Sequence, residues 1–131
     1  MTRVSGIQPE LWADRPSEAI AFYQAAFGAR VVHRVGEGQD IVAQLAVGDA
    51  CFWVANTDPD SGRFSAAAIG GGTSRTLLVT GDPDGMISAA LAAGATVTSP
   101  AGDEHGWRLG RITDPFGHHW EIGTPTGPWP P

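Results

Sequence analysis

The pattern of apolar and polar residues predicts two helices at corresponding places in the chain. In Pro16–Phe27, apolar side chains recur three and four positions apart, which is the spacing of an amphipathic helix. A proline fits the first turn of a helix, and Gly28 follows, where a glycine commonly ends one. Residues 83–93 repeat this arrangement, because Asp82 is a good N-cap, a proline opens the segment and Gly94 closes it. The sequence therefore predicts two helices that each begin at a proline and end before a glycine.

Apolar and alternating stretches around the two helices predict four strands in each half of the chain. One strand precedes each helix and three follow it, at residues 6–13, 29–35, 41–47, 50–55, 73–80, 95–98, 107–113 and 118–123. The last two strands turn at Asp114-Pro-Phe-Gly117, whose residue types suit a type I turn. Gly28 and Gly94 lie 66 residues apart, about half the chain, so the sequence contains an internal duplication of a βαβββ module.

The two modules, at about residues 5–56 and 73–124, are expected to form one domain of the α+β class. The chain of 131 residues, 1–131, has the length of a single domain with its own core. Residues 57–72 between the modules are rich in proline, glycine and serine, and we expect them to form a linker loop.

Charge and composition narrow the classes of partner. Eight basic and fourteen acidic residues give a formal charge of −6, which argues against a nucleic-acid partner and is compatible with a cationic ligand. No apolar run reaches the ~20 residues of a membrane helix. The N-terminal residues lack the apolar region of a signal peptide, so we expect a cytoplasmic protein with no membrane partner.

Cys51 is the sole cysteine, which excludes an intrachain disulfide. Its apolar surroundings predict a buried side chain.

Three segments carry a resemblance to a known superfamily: residues 19–29 (AIAFYQAAFGA), 92–97 (AAGATV) and 110–118 (GRITDPFGH). Together with the paired βαβββ modules, they resemble the vicinal oxygen chelate superfamily (glyoxalase I, bleomycin-resistance proteins and extradiol dioxygenases), and within it the PhnB-like branch. The resemblance covers about residues 6–124. It implies that the modules form a curved mixed sheet around a cleft, and that metal-dependent members hold their ligands on the first and last strands of the modules.

The resemblance offers four positions at which a metal ligand is expected. Gln8 matches the position on the first strand and Glu121 the position on the last, and the alternation of a strand places His119 on the same face as Glu121. The other two positions fall on residues that bind metal poorly: Ser74 or Arg75, and Phe52 or Trp53. A catalytic site normally needs about three protein ligands, so we expect no metal and no other cofactor. If a divalent metal does bind, Gln8, Glu121 and His119 are the weak candidates; otherwise Glu121 is expected to contact a ligand or Arg75.

Without a metal, the resemblance implies a dimeric protein that binds small molecules, such as bleomycin or mitomycin, in clefts at the dimer interface. The chain has five tryptophans, and flat or cationic ligands stack on such rings. The side chains expected to contact the ligand are Gln8, Trp12, Trp53, Arg75, His105, Trp107, Arg108 and Glu121. The leading hypothesis is a homodimeric, metal-independent binder of a cationic or aromatic small molecule that acts by drug sequestration.

The sequence leaves two alternatives in place. One is a metal-dependent lyase or isomerase resembling glyoxalase I, in which Gln8 and Glu121 hold a divalent metal that acts as a Lewis acid. In that enzyme Glu121 is the catalytic residue that moves the proton. The other alternative is a structural or regulatory subunit whose cleft binds nothing.

Overall fold

The computed structural model describes residues 2–131 as two modules and a linker. The first module contains β1 (Glu10–Ala13), α1 (Pro16–Phe27), β2 (Arg30–Glu37), β3 (Asp40–Val47) and β4 (Ala50–Asn56). The linker contains a 3-10 turn (Pro59–Ser61) and a short helix, α2 (Ala66–Ile69). The second module contains β5 (Arg75–Val79), α3 (Pro83–Ala92), β6 (Thr96–Glu104), β7 (Trp107–Thr113) and β8 (His119–Pro125). Within this range, none of the helices combines the length and the apolar character of a membrane span.

Each module forms its own four-stranded mixed sheet, and the two strand orders correspond. The orders are β1-β4-β3-β2 and β5-β8-β7-β6. In each module the first strand pairs in parallel with the last, and the remaining neighbours are antiparallel. Helices α1 and α3 contact each other across the modules. The predicted α+β fold with two βαβββ modules is therefore confirmed.

Two strand boundaries differ clearly from the prediction. β1 begins at Glu10 rather than at residue 6, because Pro9 has no N–H for the ladder and contributes only its carbonyl, which accepts from Trp53 N at 2.8 Å. β6 continues to Glu104, six residues beyond the predicted end. It tolerates Pro100 because it is an edge strand and its register with β7 shifts between Ser99 and Gly102.

Aromatic side chains from both modules form the centre of the core. Helix α1 ends at Gly28, whose φ of 66° is the left-handed conformation that glycine adopts freely. The ring centroid of Phe27 on α1 lies 4.8 Å from that of Trp120 on β8. The ring centroid of Tyr23, also on α1, lies 5.3 Å from that of Phe52 on β4. All four rings are at most 6% exposed. One helix of the first module therefore packs directly on the last strand of the second.

The buried carboxylate of Asp114 joins the two modules. It opens the turn between β7 and β8, is 3% exposed, and its Oδ1 accepts the backbone N–H groups of Phe116 and His118 at 2.9 and 3.0 Å. Its Oδ2 accepts Tyr23 Oη at 2.5 Å and Trp120 Nε1 at 3.0 Å. Burial of the phenol and the charge of the carboxylate raise the pKa of Tyr23 well above its ordinary value. The predicted type I turn is thus also the point at which α1 is fixed to the second module.

Alternation along the strands gives each sheet a core face and an outer face. In the second sheet, Trp120 and Ile122 are buried on the core face, whereas His119 and Glu121 lie on the outer face. In both sheets the outer face carries the residues at which a metal ligand was expected, and His119 shares its face with Glu121 as predicted.

Candidate functional site

Gln8 and Arg75 occupy corresponding places in the two modules. Each stands eight residues before the proline that opens the following helix, Pro16 in α1 and Pro83 in α3. Arg75 is directly opposite His119 in the pairing of β5 with β8. Of the two residues left open by the sequence, Arg75 and not Ser74 is therefore the counterpart of Gln8.

Trp53 and Glu121 form the second pair of corresponding positions. Trp53 is opposite Glu10 in the β1–β4 pairing, and Glu121 is opposite Leu77 in the β5–β8 pairing. Glu10 and Leu77 each stand six residues before the helix-opening proline, so the two registers match. Phe52, the other residue considered for this position, is 6% exposed and packs in the core. The four expected ligand positions thus hold Gln8, Trp53, Arg75 and Glu121.

In the first module, the side chains of Gln8 and Trp53 are joined by a hydrogen bond. Trp53 Nε1 donates to Gln8 Oε1 at 2.8 Å, and Gln44 Nε2 from β3 donates to the same oxygen at 3.0 Å. The amide oxygen is the atom with which a glutamine binds a metal. Because this oxygen already accepts two N–H groups, Gln8 acts here as a hydrogen-bond acceptor for side chains of β3 and β4.

In the second module, Glu121 is held by two arginines. Arg111 Nε donates to Glu121 Oε2 at 2.9 Å, and a terminal nitrogen of Arg75 lies 3.6 Å from the same oxygen. The expected contact between Glu121 and Arg75 is therefore present. Arg111 also donates to Glu104 Oε1 at 2.8 Å, and the hydrogen bonds to Glu104 and Glu121 raise the pKa of Arg111. The carboxylate of Glu121 is thus neutralised by fixed positive charges.

The residues present do not fit a catalytic divalent metal. Among residues 2–131, no group of three His, Cys, Asp or Glu side chains is arranged to hold a metal ion. His119 lies on the same face as Glu121, but its Nδ1 contacts Thr113 Oγ1 at 3.2 Å. A metal ion at Glu121 would face two guanidinium groups within 4 Å of the same oxygen, and their repulsion opposes the attraction of the single carboxylate.

An apolar cavity of about 570 Å³ lies where the two modules meet. Residues 7, 9 and 47–52 line it from the first module, and residues 76–79 and 120 from the second. Two of these side chains are conspicuously exposed for apolar residues, Leu77 at 44% and Val79 at 59%. Cys51 also lines the cavity and is half-buried, so the expectation of a buried cysteine is wrong, because β4 turns this side chain away from the core. The volume suits a small organic ligand.

Sequence reasoning missed most of this cavity. None of the eight predicted ligand-contact residues lines it, although Gln8 lies between Ile7 and Pro9, which do. The available signal was the strand of residues 75–79, where Leu77 and Val79 are apolar on the face opposite the core residue Leu78. A strand with apolar residues on both faces indicates that both faces are covered.

Two predicted ligand residues lie elsewhere. Arg108 forms a two-pronged ion pair with Asp84 on α3, at 2.7 and 2.8 Å, and also contacts Asp103 at 3.2 Å. Its hydrogen bond lowers the pKa of Asp84. Arg108 therefore connects β7 to the first turn of α3. His105, with a φ of 52°, lies in the exposed turn between β6 and β7.

The remaining tryptophans are held by neighbouring groups. Trp12 Nε1 donates to Glu10 Oε1 at 3.1 Å on the outer face of the first sheet. Trp107 packs edge-to-face against Trp129 of the C-terminal tail, with 5.4 Å between ring centroids. Trp12 and Trp53 thus both lie on the first sheet, whereas Trp107 is covered in part by the tail.

Comparison with known proteins identifies the family. The model of the Glyoxalase/Bleomycin resistance protein/Dioxygenase superfamily matches residues 7–122, and the chain therefore belongs to this superfamily. Uncharacterized protein Mb0911c from Mycobacterium bovis is 36% identical over 125 residues, which cover 91% of this chain and 82% of that protein. TioX from Micromonospora sp. ML1 is 26% identical, with a TM-score of 0.69 over 91% of this chain and 98% of TioX. The Arabidopsis thaliana gene product AT5G48480 shares the fold, with a TM-score of 0.72, 24% identity and coverage of 92% and 98%.

Proposed function

We propose that this protein is a metal-independent small-molecule-binding member of its superfamily, of the PhnB-like branch, that acts by sequestration in the cytoplasm. One observation carries the proposal: at the positions where a metal ligand was expected, Gln8 accepts a hydrogen bond from Trp53, and Glu121 is held by Arg111 and lies beside Arg75. Hydrogen bonds and ion pairs thus occupy the atoms that a metal would need. No covalent step is required of such a protein.

The cavity between the modules supplies the binding energy in this proposal. Its lining is mostly apolar, and burying apolar ligand surface contributes roughly 25 cal/mol per Å². Leu77 and Val79 reach it from the second module, and Trp53 lies two residues along β4 from the lining residue Cys51, on the same face of the strand. The ligand class proposed from these contacts is a small molecule with a flat apolar body.

A second copy of the chain is the proposed protein partner. Val35 on β2 and Val42 on β3 are directly opposite each other in the pairing of these strands, and they are 52% and 37% exposed. Apolar side chains clustered on one sheet mark an interaction surface. Light scattering after size exclusion is expected to give twice the mass of one chain, and Val35→Lys should shift the protein toward monomer. A wild-type mass of one chain at micromolar concentration would contradict the homodimer.

Ligand binding is tested by quenching of tryptophan fluorescence. Bleomycin and mitomycin are titrated into the protein in the presence of a metal chelator. We expect saturable quenching by at least one of them, reduced in Trp53→Phe and unchanged in the control Trp129→Phe, whose ring lies in the tail against Trp107. Flat titrations with both antibiotics would argue against drug sequestration.

The alternative of a glyoxalase-like lyase or isomerase needs a metal-activated carbonyl. Glu121, the residue expected to move the proton in such an enzyme, is instead paired with Arg111 and Arg75. The Oε2 atom of this carboxylate already accepts a hydrogen bond from Arg111 and lies beside Arg75, so it is not free to accept a proton from a substrate. The contacts of Glu121 therefore favour binding over catalysis.

A further inference from the structure

A second, more open cavity of about 480 Å³ lies at the start of β5. It is lined by the loop Gly72, Thr73 and Ser74 together with Arg75 and His119. None of these lining residues carries a carboxylate, although the chain as a whole is acidic, with a charge of −6. The lining differs in this respect from the apolar cavity, which uses the next residues of the same strand.

Arg75 has most of its hydrogen-bonding capacity free. Its side chain is 50% exposed, and its ion pair with Glu121 is long, at 3.6 Å. Glu121 is more tightly engaged by Arg111, at 2.9 Å. A guanidinium has five N–H donors in a planar fork that matches two oxygens of an anion. Most of the donors of Arg75 are therefore available to a ligand.

His119 and the loop add further donors to the same cavity. The Nδ1 atom of His119 contacts Thr113 Oγ1 at 3.2 Å, and none of the hydrogen bonds within residues 2–131 uses its Nε2. A Cβ atom placed on Gly72 would lie 3.4 Å from His119 Cδ2, so the loop backbone closely approaches the ring edge that carries Nε2. The hydroxyl groups of Thr73 and Ser74 complete the lining.

We propose that this cavity binds a tetrahedral oxyanion, such as a phosphate group, through the Arg75 fork, His119 Nε2 and the hydroxyls of Thr73 and Ser74. The donors come from a loop and from two strands, which favours a tetrahedral oxyanion, because its oxygens point in several directions whereas the two oxygens of a carboxylate lie in one plane. The apolar cavity is lined by residues 76–79 of the same strand. A ligand that extends along β5 from one cavity to the other would thus combine an apolar body with an oxyanion. This extension rests on the proposed function, whereas anion binding itself does not.

Inorganic phosphate is the probe for this site. Histidine ring signals are followed by NMR during a phosphate titration at constant ionic strength, because exposed charges are screened by salt. The chain has four histidines, and His119→Gln identifies the signal of interest. We expect the His119 signal to shift saturably with a dissociation constant on the order of 10 mM or tighter, while the other three histidines shift less.

Two arginine variants separate a specific site from general charge. Arg75→Gln should weaken phosphate binding about fivefold, because a charge contact of a half-exposed side chain contributes up to about 1 kcal/mol. Arg34→Gln makes the same change of net charge at an exposed residue of β2 and should leave binding unchanged. Equal effects of the two variants, or equal shifts of all four histidines, would overturn the proposal.

The class of anion is tested with acetate. Acetate binding as tight as phosphate binding would overturn the proposed tetrahedral class. Fluorescence quenching by an antibiotic without phosphate binding would refute this inference alone and leave the proposed function standing.

Discussion

The hydrogen bond between Tyr23 and Asp114 gives the sharpest test of how the two modules are joined. Tyr23→Phe removes one hydroxyl from a residue that is 0% exposed and leaves the ring packing intact. A hydrogen bond to a charged group contributes about 1.5–3 kcal/mol. With an unfolding entropy of about 2.1 cal/mol/K per residue, a chain of this length should lose about 5–11 °C in Tm, measured by calorimetry.

The pH dependence of this contact has a defined sign. Folding raises the pKa of Tyr23. The contribution of this group to the free energy of unfolding is therefore fully present below the ordinary tyrosine pKa of about 10, and it is lost as the pH rises above that value. The loss should approach about 1.4 kcal/mol per pH unit from this one group. Tyr23 is the sole tyrosine, so its ionisation is read directly from ultraviolet absorbance.

Two results would refute the reasoning about Tyr23. The first is ionisation of the native protein with a midpoint near 10; the second is a Tm change below about 1 °C in Tyr23→Phe. A double-mutant cycle with Asp114→Asn is the control. It should return a coupling energy of about 1 kcal/mol or more, because the two groups contact each other directly. Additive effects would show that the two side chains act independently.

Three further predictions concern the turn, the anion site and the apolar cavity. Gly117→Ala should lower the free energy of unfolding by about 2–4 kcal/mol in chemical denaturation, because Gly117 has a φ of 91° and a Cβ atom would lie 2.6 Å from Ala67 N. The control Gly127→Ala, with nothing within 4 Å of its Cβ, should change it by less than about 0.5 kcal/mol. Equal losses in the two variants would contradict this prediction. Glu121→Gln should tighten phosphate binding about twofold to fivefold by NMR titration, because it removes a carboxylate near the guanidinium of the site; weaker binding would contradict the anion site. Leu77→Ser should weaken binding of the quenching antibiotic about fivefold, since roughly 1 kcal/mol of apolar contact is lost. Because the side chain is 44% exposed in the free protein, Tm should fall by no more than about 4 °C. Unchanged affinity would place the ligand elsewhere.

The duplication and both helices could be predicted from the sequence because their signals are local. A proline at the start and a glycine after the end fix α1, and the corresponding proline and Asp82 fix α3, where Asp82 Oδ1 accepts Gly85 N at 3.0 Å. The DPFG turn is equally local. Short-range residue chemistry was sufficient for these elements.

The candidate site depended on strand registers that the sequence leaves uncertain by one residue. Pairing of β5 with β8 selects Arg75 over Ser74, and pairing of β1 with β4 selects Trp53 over Phe52. A shift of one residue moves a side chain to the other face, so the contacts of these positions follow only from the assembled sheets. Arg108 shows the same effect: its partner Asp84 lies 24 residues away on α3, and no local pattern indicated that pair.

Metal content is the most direct test of the claim that the four expected ligand positions form no metal site. The protein is incubated with Ni²⁺, Zn²⁺ or Mn²⁺, dialysed, and analysed for bound metal. With Gln8 Oε1 held by two N–H groups and Glu121 held by two arginines, we predict fewer than about 0.1 equivalents per chain, because about three free ligands are normally needed. Retention of about one equivalent that is lost in Glu121→Ala would contradict the account and support the metal-dependent enzyme.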